Sequence, residues 1–181
     1  MLVRWWNPAI ARSRRLYVVP DRRLPRAHHI PGGRTLHLVD LENLMGGPFQ
    51  SQSSMRGASN WYRDAAPVQR GDHVIVAVNP MLAMAAASEW PGTLLRVGGG
   101  RDGADNALIN ELRDASWIAS HFDRVIIGSG DGIFASTIPA IRDHGIAVGV
   151  LARERGVSRG LRRSADFVML FTNVDAAEDV A

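Results

Sequence analysis

Three aspartates in turn-forming contexts carry the chemistry open to this chain: Asp40 in Leu38-Val-Asp40-Leu-Glu-Asn43, Asp105 in Gly98-Gly-Gly-Arg-Asp-Gly-Ala-Asp105, and Asp131 in Gly128-Ser-Gly-Asp131-Gly132. Two carboxylates about 4 Å apart repel by about 4 kcal/mol at an effective dielectric of 20, so a close cluster needs protons or a cation. A hard divalent ion, magnesium or manganese, suits oxygen ligands, keeps several waters and completes its shell with substrate phosphate. Water activated beside a phosphodiester is the chemistry that follows. Each aspartate also has an ordinary reading: Asp131 as a helix cap, Asp105 as a favourable charge in a first helical turn, Asp40 as the end of a strand.

The elements that would position these residues alternate between strand and helix. Thr35–Asp40, His73–Val78, Thr93–Val97, Val125–Ile127 and Ile146–Leu151 are short, β-branched apolar runs that read as buried strands, and Asp166–Leu170 reads as a short edge strand. Between them the pattern gives a short helix around Trp61–Ala65 after a Gly/Ser/Gln-rich loop from Gly46 to Asn60, a helix over Met81–Ser88, one from Asp105 to about Ser120, and one over Phe134–His144. Ser158 is placed to cap a final helix. This alternation predicts an α/β fold: a doubly wound, mainly parallel sheet of five to six strands with helices on both faces. In such a sheet ligands bind at the carboxyl ends of the strands, which is where all three aspartates fall.

Composition narrows the function. The chain has 181 residues, 46% of them hydrophobic, enough for one domain with tails. It has no cysteine, which excludes disulfides, thiolate zinc sites and a cysteine nucleophile and permits a reducing cytoplasm. All 21 basic residues are arginine, so a Walker A loop and Schiff-base catalysis are excluded. No apolar run approaches the roughly 18 residues of a membrane span, and a soluble, cytoplasmic protein is expected. Residues 1–33 mix arginine, proline, Trp5 and Trp6 without a period and read as a flexible or loosely docked arm; with Arg34 the first 34 residues carry a local charge of +7, against +3 for the whole chain. Such an arm can grip phosphates and stack on bases, or be a poorly ordered extension. The acidic tail after Asn173 reads as disordered.

Four motifs in order are Leu38-Val-Asp40-x-Glu-Asn43, Arg101-Asp-Gly-Ala-Asp105-x-Ala-Leu108, Gly128-Ser-Gly-Asp131-Gly-x-Phe134, and Ser158-x-x-Leu161 followed by Ala165-Asp166-Phe167. Together they resemble the NYN-domain family of PIN-like nucleases. The similarity spans about residues 35–171, within a domain placed at 34–173 between the arm (1–33) and the tail (174–181). It implies a PIN-like fold and metal-dependent hydrolysis of RNA, single-stranded RNA above all, with Asp40, Asp105 and Asp131 as the metal-binding acids and Mg2+ or Mn2+ as the ion. It further implies that Asn43, counted with the three acids as catalytic, and Ser129 orient the phosphate or its water, and that Arg101, Ser158 and Arg159 lie on the substrate side. Family members often carry another acidic residue where this chain has Ile133, which either borders the acidic edge or packs beneath the following helix.

Two other readings compete. A catalytically weak RNA-binding domain is favoured by Ile133 and by arginines that hold phosphate without cutting it. A haloacid-dehalogenase-like phosphatase is imitated by Asp40-Leu-Glu42 and Gly130-Asp131-Gly132, although the lysine that such enzymes use is missing.

Overall fold

The computed structural model describes residues 16–20, 33–46, 52–66 and 68–171. The strands are β1 (Leu16–Pro20), β2 (Thr35–Asp40), β3 (His73–Val78), β4 (Leu94–Val97), β5 (Arg124–Gly128), β6 (Ala147–Arg153) and β7 (Phe167–Phe171). They form one sheet in the order β1-β7-β6-β5-β2-β3-β4, in which β1 is antiparallel to β7 and every other pairing is parallel. The helices are α1 (Leu41–Met45), α2 (Gln52–Ala65), α3 (Ala83–Glu89), α4 (Gly103–Glu111), α5 (Ala115–His121), α6 (Ile138–Asp143) and α7 (Arg159–Ser164).

Period-two alternation along the strands builds a core on each face. Leu36 and Leu38 of β2, Val125 and Ile127 of β5, and Val148 and Val150 of β6 pack on one side with Leu108, Ile118, Ile141 and Leu161 from α4, α5, α6 and α7. Val39, Ile126 and Leu151 face the other side, with Leu41 and Leu44 of α1, Met55 and Tyr62 of α2, and Ala86 of α3. The α/β, doubly wound expectation is met, with six strands in parallel array.

Four details differ from the sequence reading. Leu16–Pro20, inside the segment read as a flexible or loosely docked arm, is a strand on β7, so β7 is not an edge; the rest of that arm up to residue 32, and the acidic tail, lie outside the described residues. Pro20, which has no N–H to donate, sits on the outermost strand, where proline is tolerated. The Gly/Ser/Gln-rich loop is helical from Gln52, because Met55, Ser59 and Tyr62 recur on one buried face and tertiary burial outweighs weak propensity. The single helix expected over 105–120 is two, α4 and α5, broken where Asp114 turns its side chain to accept a hydrogen bond from the Trp117 N–H at 2.8 Å.

Strand order reverses between β5 and β2: from β2 the chain proceeds to β3 and β4, while β5 leads to β6 and β7 on the other side. A crevice at the carboxyl ends of β2 and β5 is the consequence of that switch.

Candidate active site

Asp40 is the last residue of β2, immediately before α1, and is 5% exposed. Its Oδ1 accepts a hydrogen bond from the Asn43 N–H at 3.2 Å, and its Oδ2 accepts one from the Ser129 hydroxyl at 3.1 Å. Burial raises its pKa despite these donors. Asn43, one turn on, accepts through Oδ1 from the Gly130 N–H at 2.9 Å and so ties α1 to the loop after β5.

Asp105 enters from the first turn of α4 close to Asp40, and two such carboxyl groups hydrogen-bond only when one of them carries a proton. Its carboxyl is pushed up to about 7, first by burial, then by the charge of Asp40 and the hydrogen bond to it, and then by Asp131 and Asp102. Its Oδ1 is buried and has no hydrogen-bond partner. Asp131 is exposed at the start of a 3-10 turn, Gly132–Ser136, where it accepts from the Ile133 N–H at 3.0 Å. The capping reading of Asp131 is therefore realised, and the same residue lines the cavity that holds Asp40 and Asp105.

That cavity is lined by Asp40, Glu42, Asn43, Asn79, Asp102, Asp105, Asp131 and Arg153 together with glycines of the surrounding loops. Two pairs of those loops are pressed backbone to backbone: a Cβ on Gly98 would collide with the Gly103 carbonyl, and one on Gly130 with the Gly156 carbonyl. These glycines serve close approach at the cavity wall. Asp102 is the one described non-glycine residue at positive φ, +58°, and it makes no side-chain cap to α4.

The other sequence candidates are placed less centrally. Ser129 is fully buried; its hydroxyl donates to Asp40 and accepts from the Asp131 N–H at 3.2 Å, so it orients these two residues from behind. Ser158 caps α7 by accepting from the Leu161 N–H at 3.1 Å, while its own N–H donates to the Gly130 carbonyl. Arg101 and Arg159 are exposed and do not line the cavity. Ile133 packs against the core rather than the cavity, because the 3-10 turn that carries it lies against α6 and α7. Sequence reasoning missed Arg153 and Asn79 as wall residues; both directly end or follow strands at the carboxyl edge, which was the available signal.

Among the described residues, no group of three histidine or acidic side chains is arranged to hold a metal ion. The Asp40–Asp105 pair nevertheless fits one: Asp40 is buried, Asp105 is half-buried with its Oδ1 buried and unpartnered, the two repel each other, and magnesium commonly binds through one or two carboxylates plus water.

The NYN domain model matches residues 78–172, more than half of the chain. The chain belongs to the NYN domain family. This is a PIN-like, nuclease-related family, and the parallel α/β sheet described above is consistent with its fold. No curated protein matches this NYN-domain chain. Among solved structures, a protein of unknown function from Vibrio parahaemolyticus is 21% identical, with a TM-score of 0.49, over 80% of this chain and 94% of that one. No described helix is long and apolar enough to cross a membrane.

Proposed function

We propose that this NYN domain is a divalent-metal-dependent ribonuclease that hydrolyses phosphodiester bonds of single-stranded RNA at the Asp40–Asp105–Asp131 cavity. The observation that carries the reading is the Asp105 carboxyl, pushed up to about 7 beside Asp40 with a buried, unpartnered oxygen. A pair in such conflict is relieved by a cation. Asp40 and Asp105 would hold magnesium or manganese, with Asp131 at the rim. The ion, when bound, supplies an activated water and neutralises charge developing on phosphate.

The chain's own groups do the positioning. The Ser129 hydroxyl and Asn43 N–H fix both oxygens of Asp40, and the Asn43 side chain fixes Gly130 and hence the loop carrying Asp131. The pairing of Leu16 with Phe171 puts the start of β1 at the carboxyl edge of the sheet, the same edge as the cavity. The 15 residues that precede it in the sequence include Arg4, Arg12, Arg14, Arg15, Trp5 and Trp6, side chains of the kind that grip phosphates and stack on bases.

The test is cleavage of labelled single-stranded RNA with manganese or magnesium, stopped by a chelator and lost in Asp40→Asn and Asp105→Asn proteins that fold normally. Cleavage at the parent rate by both variants overturns the reading. The second reading, RNA binding without efficient cleavage, is favoured by the lack of a preassembled three-ligand group among the described residues; binding without metal-dependent turnover would establish it. The phosphatase reading is disfavoured because the chain has no lysine and because Glu42, which stands where such enzymes carry a second aspartate, accepts through Oε1 from the Asn79 N–H at 3.1 Å.

A further inference from the structure

We propose that Arg153 receives a backbone phosphate of the bound RNA, next to the one that is cut. This rests on the RNA reading above. Arg153 ends β6 at the carboxyl edge, and it is the only cationic side chain among the described residues lining a cavity that also contains Asp40, Glu42, Asp102, Asp105 and Asp131. An anionic substrate meets repulsion from those carboxylates, and a fixed positive charge in the same wall gives it a point of attachment.

The guanidinium is held in place before any substrate arrives. Nε donates to the Leu44 carbonyl at 3.0 Å, Nη2 donates to the Met45 carbonyl, and the group lies 5.9 Å from the centroid of the Phe171 ring. Gly46 has φ +82° and packs directly on the guanidinium, where a Cβ would collide with it. The Gly46 N–H already closes the end of α1 on the Glu42 and Asn43 carbonyls at 3.0 and 3.1 Å. Holding a partly buried arginine there carries a desolvation cost, visible as a lowered pKa. A guanidinium already ordered by the α1 carbonyls loses little further side-chain entropy when a phosphate meets its charge. Because Arg153 grips the end of α1, whose N-cap is Asp40, the phosphate it holds is kept in register with the acidic pair.

The experiment measures binding of fluorescein-labelled decauridine in the Asp105→Asn background, which removes one repelling charge and suppresses turnover, from 50 to 300 mM salt. Adding Arg153→Gln should weaken binding at least fivefold and make the log–log salt slope shallower by about 0.7, the value for one phosphate contact to a single strand. Arg153→Lys should keep the slope but bind three- to tenfold more weakly, because it keeps the charge and loses the planar group that the Leu44 and Met45 carbonyls hold in place. An unchanged slope in a folded Arg153→Gln protein, or parent-like affinity in Arg153→Lys, overturns the proposal. Binding by the parent without metal-dependent cleavage defeats the ribonuclease reading alone; no binding of decauridine by the parent defeats both.

Discussion

Replacing Asp105 by asparagine separates a carboxylate kept for stability from one kept for chemistry. In the metal-free protein the Asp105 carboxyl is pushed from 3.8 up to about 7 by burial, by Asp40 and by its other acidic neighbours. A carboxyl whose pKa is raised on folding binds its proton more tightly in the native state, so this group costs nothing below about pH 4 and destabilises the fold progressively as pH rises toward 7. Fully expressed, that rise would be worth about 4 kcal/mol. Asp105 is partly exposed, and solvent screening reduces the expected penalty to about 1–2 kcal/mol, or about 3–6 °C in melting temperature for a chain of this size. Thermal unfolding followed by circular dichroism in chelator should therefore find Asp105→Asn equal to the parent at pH 4 and more stable at pH 8. Manganese at 100 times its dissociation constant should add about 2.7 kcal/mol to the parent's stability and little to the variant's. A variant that is less stable than the parent at pH 8 in chelator, or equally stabilised by manganese, refutes the electrostatic argument.

Other outcomes follow from the same geometry. Deleting residues 1–15 should leave the melting temperature unchanged and flatten the salt dependence of RNA binding, whereas deleting 1–20 should also lower stability by stripping β1 from the β7 edge; equal salt slopes before and after the shorter deletion would remove the arm from the interface. Asp102→Gly should raise the melting temperature by about 2–4 °C, since it relieves a left-handed backbone worth about 1 kcal/mol; a lower melting temperature would show that Asp102 makes a compensating contact. Ile133→Asp should destabilise by about 1–2 kcal/mol through charge placed against the core, with no gain in manganese affinity by titration calorimetry; tighter binding would return Ile133 to the cavity edge.

The parallel strands were legible because their apolar runs are short, β-branched and bounded by turn residues, and β2 and β3 coincide with the boundaries read from sequence. Features decided by contacts distant in the chain were not. α2 forms on a Ser/Gly-rich stretch because Tyr62 and Met55 are buried, and β1 forms in an arginine-rich arm because β7 offers it an edge. In the sequence Arg153 is one of five arginines between 153 and 163, and only the end of α1, more than 100 residues earlier, distinguishes it from the others.

The three aspartates show why local reading left two roles open for each. Asp40 caps α1, Asp105 lies in the first turn of α4, and Asp131 caps the 3-10 turn, so every ordinary reading holds. These roles do not compete with metal binding, because a carboxylate oxygen has more than one lone pair and a cap occupies only part of that capacity. A cap also fixes the side chain at a helix start, which in this sheet is the carboxyl edge, and so lowers the entropy lost when an ion or phosphate binds there. Asp105 departs from the pattern: it is in a first turn but its Oδ1 has no partner, and its neighbours are acidic. Of the three it has the weakest structural reason to remain a carboxylate, and its replacement is accordingly the most direct test of what the cavity is for.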